Sequence, residues 1–481
     1  MIALWIILGC LAALALLFVV RALMVKDTAA QPENYEKPQL DLEAVVEKVQ
    51  GAVQIPTIFM RDDTIPDKPF LELHAYLEKT FPRFHAVAEK RVVAGYSLMY
   101  KIEGTDPSLK PALFMGHQDV VPPQESGWTY PPFSATVAED CIWGRGTFDM
   151  KGQLISCLEA MEMHLREGKK PARTMYFCFG HDEEIAGTGA TAMAKVLREE
   201  GVKLEFIFDE GMTPVNAAMI GFDGPLALVG VCEKGWVNVK ITAKGNAGHA
   251  AMPPKETTAV KIAKAVTKLN KHQMRAYYSD PVNMLIKSVC PKASFKFKLV
   301  MANADLLKPL LKPILLRISP ATASLLRTTM AITVLHGSDA ANVMPDESFC
   351  IVNCRVNIGQ SVADVQRHIR KVIGEDYEIE LMEKGQHEPT EMSNLDSFGW
   401  RMMQKTVAEV FPGGVTAPFP FVAGTDSKFY EGLSNCTFKF SPHVTDAKYR
   451  AGMHNVNEYF KISDVESDIQ FYYRFMENSC M

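Results

Sequence analysis

The chain has 481 residues, of which 47% are hydrophobic, so it can form a large core and more than one domain. A net charge of -5 and the lack of basic runs argue against nucleic acid as a partner. The ten cysteines lack metal-type spacing, and most are expected to be buried thiols that leave the compartment open.

An uninterrupted apolar run covers residues 2–20 and is long enough to cross a bilayer as a helix. It has neither a charged leading segment nor a clear cleavage site of small residues. We therefore predict a single-pass membrane anchor over residues 1–25, with a secretory signal and a secreted protein as the alternative. Arg21 and Lys26 weakly favour a cytoplasmic domain, and the side of the membrane stays open. Residues 26–40 are a polar linker by composition.

Four predicted buried strands end in histidine or acidic residues that suit a binding site, and the fourth of them is the element that carries Asp149. The strand over 112–115 ends at His117 and Asp119, which point the same way in an extended segment, one as ligand and the other as its orienting carboxylate. The strand over 174–179 leads into the adjacent pair Glu183 and Glu184, and the strand over 204–208 leads into Asp209. The carboxyl ends of strands are where α/β sheets bind ligands.

Buried neighbouring carboxylates are costly unless cations or donors meet them. Asp149, between Gly144 and Gly152, is a further acid on a tight backbone. Nitrogen and carboxylate ligands without a thiolate predict catalytic zinc, with manganese or cobalt as substitutes. The number of carboxylates favours two Zn²⁺ per subunit over one.

Five motifs follow one another along the chain. They are His117-Gln118-Asp119, the segment 144–152, Glu183-Glu184, Asp209 and the segment 452–458. In this order they resemble the di-zinc aminoacylase/carboxypeptidase family, which includes aminoacylase, carboxypeptidase S and carnosinase. The resemblance is nearest to the N-fatty-acyl-amino acid synthase/hydrolase branch, through segments 104–109, 180–184, 254–257 and 327–329.

The resemblance implies the fold class, α/β. It implies a zinc-peptidase-like catalytic domain with a central, mostly parallel sheet, and an inserted ferredoxin-like α+β lid domain. It also implies the metal ligands. Asp149 would bridge the two ions, His117 and Asp209 would complete one site, and Glu184 and His454 the other.

The same resemblance makes Glu183 the general base and Asp119 the partner of His117, and it implies a cis peptide after Asp149. His443, eleven residues before His454, is the rival for the last ligand. We prefer His454, because the setting of His443 matches the branch only at the preceding Ser-Pro.

From Glu233 the pattern changes to β-α-β-β-α-β, a ferredoxin-like order. The predicted strands cover 236–241, 330–335, 348–356 and 377–382, and the predicted helices 258–269 and 362–373. The lid domain would cover 233–386, between catalytic parts at 41–232 and 387–481. The resemblance implies a homodimer through this lid.

Within the lid, the resemblance makes His249 the group that stabilises the oxyanion, in many members from a partner subunit, and Asn342 a substrate contact. An apolar insertion at about 283–328 is either a packed helical hairpin or a surface for an acyl chain or a membrane.

A loop of the second catalytic part resembles the family's segment for the substrate carboxylate. Its residues are Gly424, Thr425, Asp426, Ser427 and Lys428. Lysine stands where the family usually has arginine, so the carboxylate would meet a point charge instead of a bidentate fork.

These observations predict metal-assisted amide hydrolysis, with Glu183 moving the proton. The preferred substrate would be an N-acyl amino acid with a long acyl chain, and the enzyme would also catalyse the reverse condensation. A carboxypeptidase or dipeptidase acting on short peptides is the enzymatic alternative. A membrane-anchored binding protein without activity is the alternative of another class.

Overall fold

The structure is a computed structural model that describes residues 1–27, 30, 32–33, 35–59, 67–222 and 224–481. Positions 28, 29, 31 and 34 of the predicted linker lie outside the described residues. Four helices come before the first strand in the described part of the chain. They are α1 (Ile2–Leu23), α2 (Leu42–Val53), α3 (Asp67–Thr80) and α4 (Pro82–Val87). Asp41 caps α2 by accepting a hydrogen bond from the backbone N–H of Ala44, which fixes the start of that helix.

A nine-stranded sheet carries the main core. Its strands are β1 (Glu89–Val93), β2 (Ser97–Ile102), β3 (Ala112–His117), β6 (Met175–Gly180), β7 (Phe206–Met212), β8 (Pro214–Asn216), β9 (Pro225–Glu233), β16 (Val415–Phe421) and β17 (Thr437–Phe440). They run in the order β1-β2-β6-β3-β7-β17-β9-β16, with β8 beside β9.

The α/β class predicted from the sequence is confirmed, with one correction to the sheet. Strands β6, β3, β7 and β17 are parallel neighbours. The pairs β1–β2, β2–β6, β17–β9 and β8–β9 are antiparallel. Strand β16 is parallel to β9. The sheet is therefore mixed, with a parallel centre. At one edge β1 and β2 form a hairpin through Ala94 and Gly95, both with positive φ, and towards the other edge β9 runs antiparallel to β17 and β8.

Helices cover both faces of this sheet. They are α5 (Gly152–Arg166), α6 (Thr188–Glu199), α13 (Phe398–Val410), the short α14 (Ala447–Arg450) and α15 (Ile462–Cys480). Phe471, Tyr472 and Phe475 of α15 pack into the core beneath the sheet. A small antiparallel sheet of β18 (Tyr459–Lys461), β5 (Cys141–Trp143) and β4 (Thr136–Ala138) lies beside the segment that carries Asp149.

A second, four-stranded antiparallel sheet has its own core. In the order β12-β14-β10-β15 it contains β10 (Gly235–Lys244), β12 (Thr329–His336), β14 (Glu347–Val356) and β15 (Glu378–His387). The helices α7 (Thr258–Lys271) and α12 (Val362–Ile373) pack on it, and β11 (Gly248–His249) pairs with β13 (Val343–Met344) at its margin. The element order is the β-α-β-β-α-β order expected from the sequence.

The insertion after α7 is larger than a hairpin. It forms α8 (Asp280–Val289), α9 (Phe295–Met301), α10 (Ala304–Ile318) and α11 (Pro320–Leu326). Helix α10 continues through Pro309 and Pro313. Its packed side contributes Leu315 and Leu316 to a small cluster around Leu326, so tertiary contacts offset the loss of backbone hydrogen bonds at the prolines.

Candidate metal centre

The parallel centre of the large sheet brings the predicted site residues to one edge. His117 ends β3 and is paired with Gly180, the last residue of β6. The loop that carries Glu183 and Glu184 therefore begins directly beside His117. Both of these glutamates lie at the carboxyl edge, as the sequence predicts.

His117 is buried at the centre of the cluster. Its Nε2 lies 3.0 Å from Asp149 Oδ1 and 3.2 Å from Glu210 Oε1, and its Nδ1 lies 3.0 Å from the backbone oxygen of Asp119. A histidine whose second ring nitrogen is held in this way has a fixed ring orientation, which is the usual arrangement of a metal ligand.

The Asp119 carboxylate orients the glutamate loop as well as the histidine. Oδ1 accepts a hydrogen bond from the backbone N–H of Glu183 (3.2 Å), and Oδ2 accepts one from that of Glu184 (3.1 Å). Oδ1 also lies 3.4 Å from His117 Nδ1. One buried carboxylate thus fixes three candidate site residues relative to one another.

His454, and not its rival, lies in the cluster. His454 has a positive φ, and its Nε2 lies 3.0 Å from both Asp149 Oδ2 and Glu184 Oε2. His443 is buried elsewhere, with its Nδ1 3.0 Å from Asp468 Oδ1 on α15. The preference for His454 over His443 thus agrees with the geometry.

The fourth carboxylate of the cluster is Glu210, which the sequence reasoning missed. Ligand atoms within 4.8 Å of one another form two sets, His117–Asp149–Glu184 and His117–Glu183–Glu210. The predicted ligand Asp209 lies outside both sets and accepts hydrogen bonds from the backbone N–H groups of Glu210 (3.0 Å) and Ser427 (2.9 Å). Neighbouring side chains of a strand point to opposite faces, so alternation along β7 was the signal that only one of the two acids reaches the site.

A second missed residue, Glu458, holds Asp149 in place. Its Oε1 accepts hydrogen bonds from the backbone N–H groups of Phe148 (2.9 Å) and Asp149 (3.1 Å), and its Oε2 pairs closely with Arg145. The contacts with Phe148 and Arg145 are buried, and the one with Asp149 is partly buried. The peptide between Asp149 and Met150 is cis, as the family resemblance implies.

The electrostatics of the cluster fit bound cations. Burial raises the pKa of Glu210 to about 7, and burial followed by the charge of Asp149 raises the pKa of Glu184. Burial also raises the pKa of Glu183 well above its ordinary value. Among the described residues, Glu184 Oε1 is buried without a hydrogen-bond partner. Carboxylates and two imidazoles are the ligands that zinc and similar metals bind, and the unpartnered oxygen is free to be one of them.

The loop at 424–428 packs behind the glutamate loop. Asp426 is buried, and neither of its carboxylate oxygens has a hydrogen-bond partner among the described residues. A Cβ at Gly180 or Gly187 would lie 2.6 Å from those oxygens, so both glycines are needed for this close approach. The backbone N–H of Thr425 donates to Glu233 (3.3 Å). Asp426 thus packs closely against the start and the end of the glutamate loop and is not exposed.

Lys428, the lysine that replaces the family's usual arginine, is half-buried in the same loop. Its Nζ donates to the backbone oxygen of Thr425 (3.0 Å) and lies 4.8 Å from the ring centroid of Phe429. Its charge also lowers the pKa of Glu233, although burial of that acid has the larger, opposite effect. Within this loop, Lys428 is the cation available to an anionic group.

The two predicted lid residues lie away from this centre. His249 and Asn342 are exposed, and the backbone N–H of Ala250 donates to the backbone oxygen of Asn342 (3.1 Å) at the β11–β13 pair. In the described part of the chain, no contact joins either side chain to the carboxylate cluster. Their predicted roles need a closed lid or a partner subunit.

The family is settled by a comparison with known proteins. The model of peptidase family M20/M25/M40 matches residues 113–478. The chain belongs to this peptidase family. The suspected family is thereby confirmed, and with it a hydrolase that acts on amide bonds.

The relatives of this chain include two groups of enzymes with different names. N-fatty-acyl-amino acid synthase/hydrolase PM20D1 of Xenopus tropicalis is 34% identical over 449 residues, covering 92% of this chain and 87% of the relative. Probable carboxypeptidase S-like 2 of Dictyostelium discoideum is 34% identical over 414 residues, covering 85% of this chain and 79% of the relative. The branch suspected from the sequence is thus confirmed.

Solved structures agree on the fold. The M20 family metallo-carboxypeptidase Sso-CP2 of Sulfolobus solfataricus matches with a TM-score of 0.66 at 18% identity, over 90% of this chain and 98% of its own. Human carnosine dipeptidase 1 matches with a TM-score of 0.61 at 15% identity, over 92% of this chain and 100% of its own.

Proposed function

We propose that this M20 family member is a metal-dependent amidohydrolase that cleaves N-fatty-acyl amino acids to a fatty acid and an amino acid. In the reverse direction it condenses the same two products. The observation that carries the proposal is the closed cluster of histidines and carboxylates at the sheet edge, in a chain similar to the PM20D1 enzymes over 92% of its length.

The cluster would hold two divalent ions, with zinc the metal best suited to its donors. The proposed ligands are His117, Asp149, Glu184, Glu210 and His454, with Asp149 between the two sites because its two oxygens face the two histidines. When bound, such ions polarise an amide carbonyl and lower the pKa of water. Glu210 takes the place that the sequence reasoning gave to Asp209.

Glu183 is the proposed general base and acid. Its backbone is fixed by the hydrogen bond to Asp119, and its carboxylate belongs to the set with His117 and Glu210. From there Glu183 takes the proton of the attacking water and returns it to the leaving amine. Asp119 acts by orientation, since its oxygens are occupied by the loop N–H groups and by His117.

Substrate binding is assigned to the loop at 424–428 and to the lid. Lys428 supplies a positive charge for the free carboxylate of the amino acid. Gly424 and Thr425 shape the backbone around it, and Asp426 supports the loop from its buried side. His249 and Asn342 would reach the substrate from the lid domain, proposed at 233–386, on closure or from a partner subunit in a homodimer.

A specific observation also favours a second function. Relatives named carboxypeptidase S are about as similar to this chain as the PM20D1 enzymes are. The one of Saccharomyces cerevisiae is 31% identical and covers 90% of this chain. Cleavage of a short peptide with a free carboxyl terminus uses the same proton transfers and the same positive charge at Lys428. The two functions differ only in what lies on the acyl side of the bond.

Helix α1 is long and apolar enough to cross a membrane by length and composition. We propose that it anchors the enzyme as a single-pass helix. The alternative is a signal segment that is removed from a secreted enzyme.

The test is a comparison of three substrates, N-oleoyl-phenylalanine, N-acetyl-methionine and the dipeptide Gly-Leu, with zinc and after chelation. Chelator-sensitive cleavage of the oleoyl substrate in preference to the others is the expected result. Cleavage of Gly-Leu alone would assign the enzyme to peptides. The variant Glu183→Gln should bind metal as the wild type does and lose at least two orders of magnitude in turnover. Turnover near that of the wild type would overturn the role of Glu183.

A further inference from the structure

We infer that the α9–α10 face of the insertion docks on the bilayer surface beside α1. This goes beyond an anchor, because the folded enzyme itself would touch lipid. The inference rests on the insertion of α1 into a bilayer and on four features of α1 and the segment 280–318.

The first feature is a helix that is apolar on two sides. One side of α10 packs on the small cluster through Leu315 and Leu316. The other side carries Leu306, Leu310, Ile314 and Ile318, spaced by four residues and each about half or more exposed. A row of exposed apolar side chains on a helix whose other apolar side is already packed is typical of an interaction surface.

The second feature is the contact between α1 and this segment. Residues 1–17 of α1 are exposed, and only the end of the helix meets the rest of the protein. Asn303 Nδ2 donates to the backbone oxygen of Phe18 (3.1 Å), and Arg21 pairs with Asp305 (2.9 Å). The end of α1 is therefore attached to the start of α10, one turn or less from Leu306.

The third feature is the length of the free part of α1. Residues 2–17 form about 24 Å of helix at about 1.5 Å per residue, whereas the hydrocarbon core is about 30 Å thick. A span that reaches the whole core must include Phe18, Val19 and Val20, and these lie at the contact with Asn303. The free part of α1 is therefore about 6 Å shorter than the hydrocarbon core. This difference lies within the depth of about 5–10 Å to which helices in the membrane interface bury their apolar faces.

The fourth feature is charge. The segment 280–318 has seven Lys or Arg and two Asp, a net charge of +5 in a chain whose total is -5. One of the two acids, Asp305, is already paired with Arg21. Exposed Phe295 and Phe297 of α9 alternate with Lys296 and Lys298. Aromatic and basic residues around an apolar helix face are complementary to an anionic lipid surface.

The test uses the full-length chain in vesicles of phosphatidylcholine and phosphatidylserine, with a polarity-sensitive dye on single thiols. Cys10 is the exposed native thiol and the other nine cysteines are buried, so Cys10 itself can carry the dye that reports insertion of α1. In a Cys10→Ser background, Leu310→Cys probes the docking face. Leu335→Cys on β12 is the matched control, since Leu335 is 63% exposed and Leu310 66%.

We expect the dye at 310 to gain intensity several-fold in vesicles and to be quenched by lipids that carry a spin label near the headgroup. The dye at 335 should stay quenchable by aqueous iodide. If the dye at Cys10 is in lipid but the dye at 310 remains aqueous, docking is refuted and the anchor stands.

Two further outcomes would also overturn the inference. If the dye at Cys10 is aqueous as well, both the anchor and the docking fail. If the intensity of the dye at 310 increases with the protein-to-lipid ratio and is not quenched by spin-labelled lipids, the face binds a second copy of the chain.

Discussion

The variant Asp119→Asn isolates what one buried carboxylate does for the metal centre. Asp119 accepts the backbone N–H groups of Glu183 and Glu184 on its two oxygens. Asparagine has nearly the same shape but only one oxygen, and its amide group would face the second N–H. One of the two loop hydrogen bonds must therefore be lost. The side chain that lies 3.4 Å from His117 Nδ1 also loses its charge, although the backbone oxygen of residue 119 still holds that nitrogen at 3.0 Å.

The size of the effect follows from that loss. A buried N–H left without a partner costs about 1–3 kcal/mol. If this loss displaces Glu183 from its reactive position and raises the activation free energy by the same amount, kcat falls by about 5- to 150-fold. Loss of a carboxylate behind a ligating histidine also weakens metal binding by about 10- to 100-fold. We therefore expect both a lower kcat at saturating zinc and a higher zinc requirement.

The assay is steady-state hydrolysis over a zinc titration, with Asp182→Asn as the matched control. Asp182 is buried in the same loop and accepts hydrogen bonds from the backbone N–H groups of Thr188 (2.7 Å) and Gly189 (2.9 Å). It contacts none of the proposed ligands within the described residues. If the two variants lose activity equally, with no change in the zinc requirement, Asp119 only stabilises the loop and the reasoning is refuted.

His454→Gln should lower the zinc content of the purified protein, whereas His443→Gln should keep the zinc and lower the free energy of unfolding; the reverse pattern would restore His443 as the ligand. Glu210→Gln should weaken zinc binding more than Asp209→Asn, as measured by titration with a competing chelator. Burial, then Arg355, lowers the pKa of Lys234 to about 7. Below that pH the folded state must bury a charged Lys234, which the unfolded state leaves in water. The free energy of unfolding of the wild type, measured with denaturant and compared with that of Lys234→Met, should therefore rise between pH 7 and 9. A constant difference would contradict this.

The sequence is most informative about the fold and the site where a local motif identifies an element or a residue by itself. Helix α12 is predicted at 362–373, which is its observed range, and the structure shows a capping box of Ser361 and Asp364 at its start. His117, Asp149, Glu184 and His454 are named directly by motifs, and their side chains lie together in the structure.

Features that depend on direction or packing were harder to predict. The choice between Asp209 and Glu210 depends on the face to which each side chain turns at the end of β7. Glu458 is recognised only once it is seen beneath Asp149. A packed hairpin is one of the two structures that the sequence allows for the insertion, and nothing local shows that α10 continues through Pro309 and Pro313. That continuity is accompanied by packing on α11.

The position of β17 has a consequence for biosynthesis. This strand, near the end of the chain, lies between β7 and β9, and α15 then closes the core beneath it. The large sheet thus stays open on the ribosome until residue 440 has emerged, while the four-stranded unit is already complete after residue 387. We expect the inserted unit to fold first during translation and the catalytic sheet to close last. A chain that stops before α15 would then expose a finished four-stranded unit and an unfinished large sheet to chaperones.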